Sequence, residues 1–471
     1  MVFSNLVFIF VFLPLVLFFY YIVKDTFKNI ILLIASLVFY AWGEPQYVFL
    51  MLFSILLNYF FGLGIHRYRN SLKIKKTILI LSIVVNIAIL GYFKYSGFLI
   101  DNLNEIFGTK WSIGELPLPI GISFFTFQSM SYVIDVYRND AKVQKNIFSL
   151  ALYVTLFPQL VAGPIVRYND IEEQIQSRSI NLEKFNEGIK RFIIGLSKKV
   201  LLANGFASIA DTIFGTPTGE LSVLTAWMGI TAYTLQIYFD FSGYSDMAIG
   251  LGKMFGFDFL ENFNYPYISK SVSEFWRRWH ISLGSWFRDY LYIPLGGNRK
   301  GTIITLRNLL IVWTVTGLWH GASWTFMAWG FYYGILISLE RFGFLRFVSK
   351  LWAPLQHLYV VLIVMVGWVF FRADNFTYSV DYLKTMFGFS GSDLYDNTFI
   401  LFAHDNWFLF LIGIVFSTPI LSKLTKIEIK NTNSAVVFRS LFESATYMIM
   451  LILVMIYLVN STYNPFIYFR F

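Results

Sequence analysis

Five histidines are the side chains of this 471-residue chain best suited to move a proton near neutral pH, and there is no cysteine to act as thiol nucleophile, thiolate metal ligand or redox switch. His320 stands in TVTGLWHGASW, flanked by Trp313, Trp319 and Trp324, with the small residues Gly317, Gly321 and Ala322 close by. An ionisable group in an apolar helical stretch is costly and usually functional. Burial disfavours the imidazolium, so a neutral imidazole able to accept a proton is expected. Glycine and alanine around it let another backbone, or a substrate, approach closely. The competing reading is a core histidine bonded to a helix neighbour. His280 stands in SEFWRRWHISL, with Trp276 and Arg277 one turn earlier. That arrangement suits an anionic ligand held beside the ring, or equally an interfacial helix bound to lipid headgroups. His66, His357 and His404 lie in a basic loop or near the ends of apolar runs and read as solvated or interfacial.

Familiar catalytic signatures are missing. There is no G-x-S-x-G, no G-x-x-x-x-G-K-[ST] and no H-E-x-x-H. Gly296-Gly297-Asn298 after Pro294 reads as a turn rather than a phosphate cradle, so coupling to ATP is not expected. No cofactor or metal is expected to reside in the chain. Other polar groups interrupt apolar segments: Gln128, Asp135, Gln236, Asp240 and Asp246. They suit either a proton or cation path or, more plainly, buried carboxylates held by Ser242, Tyr244 or an arginine.

The elements that must position these groups follow from composition. Hydrophobic residues make up 56%, aromatic residues 20% and charged residues 14%, against about 25% charged in an ordinary soluble domain. So few charges cannot cover so much Phe and Leu in water. The class is an all-α polytopic membrane protein. Apolar runs at 3–23, 29–42, 46–65, 77–99, 118–136, 147–166, 186–210, 222–256, 303–318, 320–340, 355–371, 399–420 and 438–460 predict roughly 10–13 transmembrane or re-entrant helices, with 222–256 long enough for two pieces. The net charge of +9 does not point to nucleic acid, because the basic residues sit in short loops between apolar runs. The loop His66–Lys76 has five Lys or Arg and no acid, which places it in the cytosol; Asp101, Glu105 and Glu115 place 101–117 outside. Counting from there, with Lys423, Lys426 and Lys430 inside, puts both termini outside the cytoplasm. The N-terminal run lacks a basic n-region and a small-residue cleavage site, and reads as a retained span. Residues 257–302 are too polar to span and too aromatic for a plain loop. Within them, Ser271–Ser285 predicts a short helix capped by Ser273 at an interface or funnel wall.

Several blocks carry a resemblance: the opening MVFSNLVFIFVFLPLVLFFYY, LPIGISFFTFQSMSYVIDVYR, LFPQLVAGPIVRY, YFDFSGYSDMAIGLGKMFGFDFLENFNYPY, EFWRRWHISLGSWFRDYLYIPLGGNRKG and GLWHGASWTFMAWG. Over residues 1–471, read as one domain, they resemble the membrane-bound O-acyltransferase family, and within it the bacterial branch of alginate and peptidoglycan O-acetyltransferases. The resemblance implies a ring of tilted helices around a central funnel, with His320 as the catalytic histidine and His280 at the partner position. It implies an acyl thioester donor on the cytosolic side, acetyl-coenzyme A being the expected one. The acceptor would be a hydroxyl on an extracytoplasmic polysaccharide, reached through a separate acyltransferase. Arg277 and Arg278, with Trp276 and Trp319, are the residues expected to meet the donor, the arginines at its phosphates. The alternatives are D-alanyl transfer to teichoic acid from a carrier protein and, in a different class, a transporter or flippase for a lipid-linked glycan.

The chain ends STYNPFIYFRF, and 461–471 reads as an extracytoplasmic aromatic tail. Phe466, Tyr468, Phe469 and Phe471 suit an interfacial belt anchored in lipid. The form F-x-Y-x-x-F also resembles the C-terminal motif of small helper proteins in teichoic-acid alanylation systems. That resemblance implies a fused helper whose Tyr468 hydroxyl takes the acyl group, its pKa near 10 making it easier to activate than a sugar alcohol.

Overall fold

The computed structural model describes residues 1–114, 116–420, 422, 433–460, 463–464 and 467. Glu115, Lys423, Lys426, Lys430, Phe466, Tyr468, Phe469 and Phe471 lie outside the described residues. The chain is all-helical, with no strand among the described residues. Two compact units divide it: Met1–Phe192 with Met247–Leu260, and Ile193–Asp246 with Glu261–Phe471.

In the first unit, a π-helical turn Phe8–Phe12 leads without a break into α1 (Leu13–Ile22), with Pro14 at its second position. There follow α2 (Asp25–Ala41), α3 (Tyr47–Arg67), α4 (Leu72–Phe107), α5 (Ile122–Arg138), α6 (Ile147–Thr155), α7 (Phe157–Leu160), α8 (Tyr168–Gln176) and most of α9 (Leu182–Ser197). α3 and α4 are clamped by two reciprocal amide bonds: Asn58 Nδ2 donates to Asn86 Oδ1 at 3.0 Å and Asn86 Nδ2 to Asn58 Oδ1 at 2.9 Å. Such polar pairs hold helices together where apolar surface alone gives no net drive. α5 is buried along its whole length from Ile122 to Val136. Asn146 caps α6 by accepting from the Phe148 N–H, and Leu156 with Pro158 breaks the run expected as a single span over 147–166.

The second unit is built from α10 (Asn204–Phe214), most of α11 (Val223–Met254), α12 (Val272–Arg278), α13 (Ile281–Phe287), α14 (Thr302–His320), α15 (Trp324–Leu339), α16 (Leu345–Val348), α17 (Ala353–Arg372), α18 (Phe376–Met386), α19 (Asn397–Phe416) and α20 (Asn433–Asn460). A π-helical turn, Lys198–Ala203, joins α9 to α10. The segment 222–256 is one continuous helix rather than two pieces, since no proline interrupts it. α14 and α15 meet backbone to backbone: a Cβ on Gly317 would run into the Phe326 carbonyl oxygen, and one on Gly330 into that of Trp313. Glycine is required at both for that approach. It fixes the last turn of α14, which carries His320.

Among the described residues, seven helical segments are long and apolar enough to cross a membrane: Tyr47–Arg67, Leu72–Phe107, Leu182–Phe214, Thr302–His320, Ala353–Arg372, Asn397–Phe416 and Ser440–Asn460. Some other predicted spans form shorter helices, such as α5 with 17 residues and α15 with 16, while α11, with 32, is long enough but falls outside those seven.

Candidate active site

The expected helix Ser271–Ser285 is two helices, α12 and α13, broken at Trp279 and His280. His280 adopts φ 46°, a left-handed conformation that costs a residue with a Cβ roughly 1–2 kcal/mol and ends a helix. The cap is Ser271, not Ser273: its hydroxyl accepts from the Glu274 N–H at 3.0 Å. Ser273 instead donates its N–H to the buried Glu340 at 2.8 Å, and Val272 donates to the other Glu340 oxygen at 2.6 Å. One carboxylate thus satisfies two otherwise orphaned donors at the start of α12. His357 adds a second tie, its Nδ1 lying 3.1 Å from the Ser269 carbonyl oxygen.

Asn262 fixes His280 from the other side. Its Oδ1 accepts from the Ser282 N–H at 3.1 Å and the Ser282 hydroxyl at 2.9 Å, so that atom must be the amide oxygen. His280 Nδ1 lies 3.2 Å from the same oxygen and therefore carries the proton, which leaves the lone pair on Nε2. The Asn262 carbonyl also accepts from the Ile281 N–H at 3.0 Å, bracing the left-handed residue on its C-terminal side.

His280 is 2% exposed and His320 7%. The Trp319 indole touches both rings, with centroids 6.0 Å from His280 and 5.0 Å from His320. Phe241 packs edge-on against His280 at 4.6 Å. Trp329 and Phe371 enclose His320 at 5.0 and 5.1 Å. Gly321 is required beside it, because a Cβ there would strike the Phe326 ring. The result is two imidazoles in an aromatic enclosure, able to exchange a proton with a substrate and shielded from competing water.

The other sequence candidates separate in place. Trp276 is packed against Trp313 and Tyr333, each with centroids 4.8 Å away, and helps wall the enclosure from behind. Arg278 pairs with Glu274 at 2.9 Å and donates to the Asn264 carbonyl at 3.1 Å, so it braces α12. Arg277 is exposed and makes no hydrogen bond or ion pair among the described residues. Asp240 and Asp246 are paired with Lys199 at 2.7 Å and Lys198 at 2.6 Å, two lysines that nothing in the sequence had singled out. Gly296 and Gly297 form the predicted turn, both at positive φ. Asn262 and Glu340 gave no site signal in the sequence, although a lone acid ending an apolar run over 320–340 is the type of residue that repays attention.

Burial pushes the His280 imidazolium down to about 3, against an ordinary value of 6.5. The unfolded chain therefore binds a proton below pH 6.5 that the folded chain refuses, so this stabilisation is fully present above 6.5 and is lost as pH falls toward 3. Between pH 7 and pH 5 the protein should lose about 2 kcal/mol that His280→Gln does not lose. Thermal denaturation in detergent at the two pH values checks it; an equal loss in both proteins would contradict a neutral buried His280.

Two buried imidazoles could accept a proton from a hydroxyl, and a chain without cysteine cannot carry an acyl group as a thioester on itself. Residues 138–371 match the family model of the membrane-bound O-acyltransferase family. The chain is 47% identical over 403 residues to the probable alginate O-acetylase AlgI of Azotobacter vinelandii, covering 84% of this chain and 80% of that protein. It is 38% identical over 430 residues to the peptidoglycan O-acetyltransferase of Helicobacter pylori, covering 84% and 81%. To the teichoic acid D-alanyltransferase of Bacillus subtilis it is 27% identical over 301 residues, covering 59% and 75%. The chain belongs to the membrane-bound O-acyltransferase family and is a multi-pass membrane enzyme of acyl transfer to hydroxyls.

Proposed function

We propose that this chain moves an acetyl group from a cytosolic thioester, acetyl-coenzyme A, to hydroxyls of an extracytoplasmic polysaccharide, with Tyr468 as relay and a separate acyltransferase completing the delivery. The observation that carries the reading is the pair of buried imidazoles on either side of Trp319. His320 takes the proton of the attacking hydroxyl as its oxygen bonds to the thioester carbonyl carbon. The carbon–sulfur bond breaks, and the imidazolium returns the proton to the departing thiolate. His280, held through Nδ1 by Asn262, orients the incoming hydroxyl or the donor beside it. Arg277 is the cation offered to the donor's phosphates. The basic His66–Lys76 loop faces the cytosol and both termini lie outside.

Acetyl is preferred to D-alanyl because the O-acetylase and O-acetyltransferase relatives match 84% of the chain at 38–47% identity, whereas the D-alanyltransferase matches 59% at 27%. In cells lacking this protein, the surface polysaccharide should lose its O-acetyl esters while its amount stays the same. Unchanged esters would refute the reading, and loss of the glycan itself would point to a lipid-linked glycan transporter.

A further inference from the structure

The C-terminal tail has three attachments that a lipid anchor would not need. Tyr463 donates its hydroxyl to Asp211 Oδ2 at 2.5 Å, and Asp211 is itself paired with Arg372 at 2.7 Å. Asn464 bonds to Asn204 at 3.2 Å. Deeper in, the Ile467 N–H donates to Asp240 Oδ2 at 2.9 Å, across 227 residues of sequence, and Ile467 is only 7% exposed. Asp240 and Lys199 form an ion pair whose side chains are 2% and 3% exposed. Burying such a pair is expensive and gives little net stability, so its retention calls for another reason. The reason on view is the second carboxylate oxygen, which the tail's backbone uses.

Lys199 lies in the π-helical turn Lys198–Ala203. From it two consecutive lysines both reach α11, Lys198 at Asp246 and Lys199 at Asp240. On α11, the residue after Asp240 is Phe241, whose ring packs on His280. On the tail, the residue after Ile467 is Tyr468. The hydrogen bond from the Ile467 N–H to Asp240 therefore ties Ile467 to a residue one peptide link from the wall of the histidine enclosure.

We propose that Asp240, balanced by Lys199, is the seat of the chain's own C-terminal segment and thereby a positioning residue for acyl transfer through Tyr468. The relay role of Tyr468 rests on the function proposed above; the seating does not. Because Asp240 captures a main-chain N–H, the seat consumes no side-chain group of the segment it holds.

The test uses the full chain with one reporter, Ile467→Cys, which is free of background because the sequence has no cysteine. Two double variants remove the acceptor without leaving a lone buried charge: Lys199→Met with Asp240→Leu, and the exchange Lys199→Asp with Asp240→Lys. The exchange keeps an ion pair while placing an ammonium where an acceptor is required. In whichever variant elutes as a monodisperse species, a polar maleimide should label the reporter thiol at least about tenfold faster than in the otherwise native chain, as expected from losing a charge-assisted hydrogen bond. Labelling at the native rate in a folded double variant would overturn the seat. Polysaccharide acetylation is read in parallel without the reporter. A released tail with acetylation lost supports seat and relay together, while a released tail with acetylation unchanged supports the seat and overturns the relay.

Discussion

Replacing His320 by alanine should lower acyl transfer at least about 100-fold while the protein still folds. An alcohol or phenol is mostly protonated at pH 7, and a positioned base is worth roughly 10²–10⁴ in rate. The side chain sits between Trp329 and Phe371, so alanine also leaves a gap there. His320→Gln separates the two effects: it fills much of the space and keeps hydrogen-bonding atoms but cannot act as a base, and it should lose as much activity as alanine. Equal expression and elution of the three proteins supply the folding control. A glutamine variant with near-native activity would mean that His320 shapes the enclosure rather than moving the proton.

Changing Tyr468 to phenylalanine should abolish acetylation of the polysaccharide outright. The ring and its affinity for an interface remain, and only the oxygen is removed. If that oxygen receives the acyl group, nothing else in Phe466, Phe469 or Phe471 can replace it, since a hydrocarbon ring has no nucleophile. The measurement is ester content of the isolated polymer, with the amount of chain in the membrane as control. Native ester content would return the tail to the role of an aromatic anchor.

What the sequence disclosed and what it hid follow one physical line. His320 and His280 were legible because an imidazole among tryptophans and glycines violates the apolar pattern around it, and violations are visible locally. The spans Tyr47–Arg67 and Ala353–Arg372 were legible because hydropathy over 20 residues needs no partner. Asn262 was not, since its role depends on the left-handed turn at His280, 18 residues away, which no propensity in WRRWHIS announces. Glu340 reaches α12 across 68 residues, and the Lys199–Asp240 pair joins a π-helical turn to a different helix. The break between α12 and α13 was hidden for a related reason: the aromatic periodicity of Trp276, Trp279, His280 and Leu283 fits a continuous helix, and tertiary bonds to Asn262 override it.

The central claim is that acyl groups pass from a cytosolic thioester, through the histidine enclosure, to an acceptor outside. It is tested most directly in sealed vesicles containing the full chain, its partner acyltransferase and polysaccharide on the extracytoplasmic face, with labelled acetyl-coenzyme A supplied to one face at a time. Label should reach the polysaccharide only when donor is supplied on the face bearing the His66–Lys76 loop, and His320→Ala should reduce it at least about 100-fold. Transfer from the opposite face alone, or equal transfer by His320→Ala, would contradict the account.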